Sequence, residues 1–163
     1  VFVTNHVLSG VLIGRVLEDH PVAAFAVGVG SHLAVDMIPH WGCDRSAEGG
    51  PERFLAAARR DGLLGLATMG AGALAVDRRA RPAVVAAMAG AVLLDLDKPI
   101  EHFFGVYPYP DLVRRVHLWC QNESTAGMRN EVGFGVLFAV ADALAALGSR
   151  RRQRSGRVDG LSV

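Results

Sequence analysis

Long apolar runs separated by short polar segments set the plan of this chain. Val7–Leu17 is the first run, and Thr4 or Asn5 just before it can cap a helix there. Pro21 opens the second, since a proline in the first turn of a helix gives up no hydrogen bond. This second helix is predicted to reach about Ile38, and its eighteen or so residues would span about 27 Å, close to the thickness of a bilayer core. A polar connection, 41–60, follows, within which Glu52–Arg60 reads as a short amphipathic helix lying at a surface. Gly62–Val76 is the third run and Ala83–Leu94 the fourth, joined by the short basic turn 77–82. Residues 103–129 are irregular apart from an amphipathic helix over Asp111–Gln121, with Leu112, Val113, Val116 and Trp119 on its apolar side. Glu131–Leu147 is the fifth run. The pattern predicts an all-α bundle of about five helices, one domain over residues 1–149, with short interfacial helices in the two long connections. Residues 150–163 read as a basic, disordered tail.

The runs are apolar all round rather than striped, which leaves a soluble bundle no solvated face. Composition agrees: 51% of the 163 residues are hydrophobic and only 7% aromatic, with a mean hydropathy of +0.28. Small residues dominate the runs, as in helices packed closely within a membrane. The charges also sort. Arg15, Arg78, Arg79, Arg81 and the arginines of the tail make up nine of the seventeen Lys and Arg. With five spans these segments share one side, and short basic loops mark the cytoplasmic side. The expected location is the cell inner membrane, with the C-terminal segment cytoplasmic. No cleavable signal peptide is visible. Buried helices in a soluble bundle remain the alternative, because the runs are near or below spanning length. A net charge of +1, with no dominant basic surface, argues against a nucleic-acid partner. Cys43 and Cys120 form no CxxC motif, and can pair, stay free or contribute a thiolate.

Helices that alternate in direction bring the ionisable residues together. His6 starts helix one, His32, Asp36 and His40 end helix two, and Asp95, Asp97, Glu101 and His102 follow helix four. His32, Asp36 and His40 recur every four residues, within roughly 80° of one helical face. Such a face on an apolar helix is costly unless paired, hydrated or bound to metal. Pro39 can end the helix before His40, so His40 is a ligand or a surface residue. Histidine and carboxylates are the ligands of zinc, manganese and iron. His6, His32, Asp36, His40, Asp95, Asp97 and His102 suffice for one divalent ion, zinc first, or for two ions with a bridging carboxylate and an activated water. Glu101 is the candidate general base, with Asp97 also catalytic. Arg114 and Arg115 would meet the phosphate of a lipid-like or small-molecule substrate. The whole cluster falls near the outer face. A metal-binding or transport protein without catalysis would use the same residues.

The His32-x-x-x-Asp36 pair, with His40 after it and Leu94-Asp95-Leu-Asp97-Lys-Pro99 later, resembles the bacterial membrane-bound metal-dependent hydrolases of the YdjM type. Those are distantly similar to zinc-dependent phospholipase C, an all-α fold with metals held by His and Asp. The resemblance implies that His32 and Asp36 act as that family's HxxxD pair, His6 as its early histidine, and Asp95 and Asp97 as its Asp-x-Asp segment. Leu94 stands where the family has proline. The family's His-Arg-Gly…Thr-His-Ser segment is absent, and Arg114-Arg-Val-His117 is at most a remnant of it. The function implied is hydrolysis of a phosphoester or related bond in a lipid-like substrate.

Overall fold

The structure, a computed structural model, describes residues 1–42 and 49–159, the stretch from 149 onward as backbone only. It is almost entirely helical. Seven helices, α1 (Val3–Val16), α2 (Pro21–Asp36), α3 (Gly50–Leu74), α4 (Arg81–Val92), α5 (Asp97–Phe104), α6 (Asp111–Cys120) and α7 (Met128–Asp159), account for most of it. A 3-10 turn, Leu93–Leu96, joins α4 to α5. The only extended pairing among the described residues is two residues long: β1 (His40–Trp41) runs parallel to β2 (Glu123–Ser124).

Four differences from the expected elements matter. The expected surface helix and third run are one helix, α3, because nothing between Arg60 and Gly62 breaks it. Helix α2 stops at Asp36, two residues before Ile38, where the approaching Pro39 disfavours helical backbone. Helix α7 carries on through the basic segment as far as Asp159. Neither Thr4 nor Asn5 caps α1; Phe2 holds that position and makes no side-chain cap bond. Carboxylates from other helices serve instead. Asp61 of α3 accepts from the N–H of Val3 at 2.6 Å and of Thr4 at 3.2 Å. Glu131 of α7 accepts from the N–H of Phe2 at 3.0 Å and the side chain of Asn5 at 2.8 Å. The backbone N–H groups among them are the orphan donors of a helix start, and its partial positive charge suits both anions.

Helix α4 lies at the centre, packed on α1 and α2. The packing is close because glycines face the contacts. A Cβ on Gly10 would sit 2.7 Å from the Cα of Met88, and one on Gly14, Gly28 or Gly90 would strike the backbone at Val84, Ala87 or Phe25. Val7, Val11, Val76, Ala80, Val84 and Met88 form the main core. That core is small, and much of the apolar surface faces outward: Leu63, Leu64, Leu66 and Leu74 on α3, and Val132, Val136, Leu137, Val140, Leu144 and Leu147 on α7. By length and composition, Met128–Gly148 is the single stretch among the described residues able to cross a membrane, and Pro21–Asp36 is apolar but shorter. The five spans expected from the sequence are therefore not all of spanning length.

Candidate metal centre

The start of α1, the end of α2, the 3-10 turn and α6 converge on one buried cluster. His6, His32 and Asp36 have no solvent exposure, and Asp95 and His117 are almost as deeply buried. Two overlapping triads, His6–His32–Asp36 and His32–Asp95–His117, each bring their ligand atoms within 4.8 Å of one another and could hold a metal ion. Asp36 is central. Its Oδ1 lies 3.3 Å from His6 Nε2, and its Oδ2 lies 3.1 Å from His32 Nε2 and 3.4 Å from His117 Nε2. The rings of His6 and His32 stack with centroids 4.1 Å apart. Stacked imidazoles at that distance repel if both are charged.

The outer nitrogens fix the tautomers. His32 Nδ1 is 2.7 Å from the carbonyl of Ala91, so it carries the proton and leaves Nε2 a bare acceptor. His117 Nδ1 points to Asp97 Oδ2 at 3.6 Å. Histidine ligands characteristically use their second nitrogen in these two ways, towards a backbone carbonyl or a carboxylate. Yet His32 Nε2 and His117 Nε2 face each other at 3.1 Å. His6 Nε2, Asp95 Oδ2 and Asp97 Oδ1 are buried and have no hydrogen-bond partner among the described residues. Ring nitrogens and carboxylate oxygens of the two triads crowd together in the interior, an arrangement compatible with a site for a cation.

Charge outside the cluster is balanced locally. Lys98 Nζ is 2.6 Å from Asp95 Oδ1. Burial alone would push the Asp95 carboxyl up, but the Lys98 ammonium outweighs it and holds that group well below the usual carboxylate range. Burial likewise lowers His117, while the hydrogen bonds to Asp36 and then Asp97 more than reverse this and raise it to about 9.

Not every expected ligand arrives. His102 is exposed on α5, edge-on to Phe103, and Glu101 beside it is exposed as well, so neither reaches the cluster as ligand or base. Asp97 stands behind His117. His40 is buried, but its Nε2 meets Gln121 Oε1 at 3.2 Å, one side chain removed from Asp36. Arg114 and Arg115 are exposed on α6, Arg114 lying 5.0 Å over the ring of Tyr107. The expected apolar side of α6 is largely exposed: Leu112, Val116 and Trp119 point outward, and only Val113 is half-buried, on the side where His117 and Cys120 are buried. Asp142 of α7 pairs with Arg15 of α1 at 3.5 Å. Cys120 forms no disulfide among the described residues, and Cys43 lies outside them.

His117 carries little weight in the sequence pattern, and Gln121 none. A usable signal was present: they stand four residues apart, a spacing that stacks them on one helical face. Comparison with protein-family models, with curated proteins and with solved structures gives no match, so what this cluster does must be judged from its own geometry.

Proposed function

We propose that the chain is a membrane-embedded metal-dependent hydrolase whose ion is held by His6, His32, Asp36, Asp95 and His117. The observation that carries the metal is the His32–His117 contact, two ring nitrogens 3.1 Å apart, each with its other nitrogen directed at an acceptor. Donors bonded at about 2.0–2.1 Å to a tetrahedral ion lie roughly 3.3–3.4 Å apart. The 3.1–3.4 Å separations among Asp36, His6, His32 and His117 are close to that edge. Three imidazoles and carboxylate suit zinc. His32 belongs to both triads and has a single free nitrogen, which favours one ion over two.

A divalent ion there would supply Lewis acidity and make its bound water a nucleophile near neutral pH. The chain's own part is positioning. Asp97 Oδ2 orients the His117 ring, and Asp97 Oδ1, buried without a partner, is the base proposed to take the water's proton. Arg114 stands three residues before His117, and Arg114 and Arg115 offer forked donors to a phosphate. The outward Leu and Val of α3 and α7, and the exposed Leu118 and Trp119 beside the arginines, favour a bilayer around the bundle and a lipid-like substrate. The likeness to YdjM-type hydrolases points the same way. In this reading the cluster faces the outer side and the basic loops the cytoplasm.

The test is metal content and phospholipid hydrolysis by the detergent-purified full chain, beside His32→Ala and Asp97→Asn. The first variant should lose metal and the second should keep it while losing turnover. Stoichiometric metal in His32→Ala would end the metal assignment. Complete burial of the ligands favours a second reading, a protein that holds or carries the ion without catalysis. A metal-loaded wild type inert on phospholipid and pyrophosphate substrates would select it.

A further inference from the structure

The hydrogen bonds around Gln121 do not close. His40 Nδ1 lies 2.9 Å from the carbonyl of Ile38. A carbonyl only accepts, so Nδ1 carries the proton, and an uncharged imidazole then offers a lone pair at Nε2. That lone pair faces Gln121 Oε1 at 3.2 Å, an acceptor against an acceptor. At its other end, Gln121 Nε2 lies 2.5 Å from Asp36 Oδ2 and 2.8 Å from His117 Nε2.

A half-turn of the amide exchanges its two ends without moving the side chain. The amide N–H₂ then donates to His40 Nε2, and the bad contact becomes a hydrogen bond. The carbonyl oxygen now joins Asp36 Oδ2, His117 Nε2 and, 3.1 Å from both of these, His32 Nε2. In the metal-free fold a proton on His117 Nε2 can serve one of its neighbours; a divalent cation at that point would serve all four groups at once.

We propose that Gln121 supplies its carbonyl oxygen as a further ligand of the ion, and that His40 is a positioning residue that fixes which end of the amide faces the metal. This rests on the metal centre proposed above and extends it. The backbone supports the arrangement. Asn122 N–H donates to the carbonyl of Asp36 at 3.1 Å, and His40 N–H donates to that of Asn122 at 3.1 Å, so the ends of α2 and α6 are tied together where the three side chains meet. A neutral oxygen ligand beside three imidazoles and two carboxylates takes the ligand count from five to six, which widens the ions accepted from zinc towards manganese and iron.

The test is Co²⁺ binding by the full-length protein in detergent, followed by calorimetry and by the visible spectrum of the bound ion, with circular dichroism to confirm helix content. Wild type should bind and His32→Ala should not. Gln121→Leu should change the spectrum, and Gln121→Glu, which keeps an oxygen, should bind at least as tightly as Gln121→Leu. His40→Leu should weaken binding by about ten- to hundredfold, and His40→Gln, whose amide oxygen can accept from Gln121, should restore most of it. If wild type binds, His32→Ala does not, and both leucine variants leave affinity and spectrum unchanged, this proposal falls and the metal centre stands. If wild type binds no Co²⁺, the metal centre falls, and this proposal with it.

Discussion

The two ends of the helix bundle use the same kinds of residue to opposite effect. At one end Asp36 meets His6, His32 and His117 with no solvent exposure. At the other, Asp19 and Arg79 form a pair at 2.6 Å, with side chains 48% and 72% exposed. By distance alone the exposed pair is the better ion pair. Water decides otherwise: it screens the surface pair and already solvates both partners, so little depends on that contact. In the buried cluster each polar atom has only its neighbours, and removing one leaves the rest stranded. Chemistry concentrates where the alternative to a partner is an apolar helix rather than water.

That contrast can be broken by substitution. Asp36→Ala should have the largest effect. It removes the carboxylate common to three histidines, should abolish metal binding, and is expected to cost about 3–5 kcal/mol in denaturant unfolding; a variant as stable as wild type would show that the cluster is not strongly coupled. Asp61→Ala should rank next, at about 1–2 kcal/mol, because it uncovers the first N–H groups of α1, and should be read as a lower unfolding midpoint.

Acidity acts on the same cluster with a definite sign. His117 is raised to about 9 in the metal-free fold by Asp36 and Asp97, against the pull of burial. Its stabilisation is therefore fully present below the ordinary histidine value of 6.5 and is lost as pH rises through about 9. A metal must displace that proton, so its apparent affinity should rise up to about tenfold per unit between those values and then level off. Thermal melting with and without chelator across this range should show the two forms moving apart as pH increases; parallel curves would remove His117 from the ligand set. Smallest of all should be Asp19→Ala, which is expected to leave the melting temperature where it was. A clear drop would mean that the exposed pair matters more than its solvation suggests.

Much of the cluster was legible in the sequence. His32 and Asp36 stand four apart in an apolar run, and alternating helices bring His6 and Asp95 to the same end. The rest depended on features that the pattern does not carry. The turn at Leu93–Leu96 is 3-10 rather than α, and a tighter winding of about 120° per residue against 100° accumulates roughly 80° over four residues. The direction in which the residues after Leu94 leave helix four is therefore not set by α-helical spacing, and Glu101 and His102 end up exposed on α5. His117 was hidden because amphipathic periodicity locates two faces without saying which is covered, and on α6 the apolar one is exposed. His40 reaches Gln121 through a backbone pairing between residues more than eighty apart in sequence, for which local spacing offers no clue. The outward apolar surface was legible as a composition too hydrophobic for a small core, although among the described residues only α7 has an apolar stretch of spanning length.

The glycine contacts of α1, α2 and α4 have a consequence for ion size. Where backbone touches backbone, helix separation is set by the radius of the helix itself, and no side chain can yield to open it. His6 and His32 are thus mounted on a fixed jaw. Asp95 and His117 sit on a 3-10 turn and a short outer helix, a jaw that none of these glycine contacts holds. An ion too wide for the fixed jaw gains nothing from flexibility opposite, whereas one too small can still be followed inward. If the cluster holds an ion as proposed, the bundle would work as a one-sided gauge, with an upper limit on radius written in Gly10, Gly14, Gly28 and Gly90.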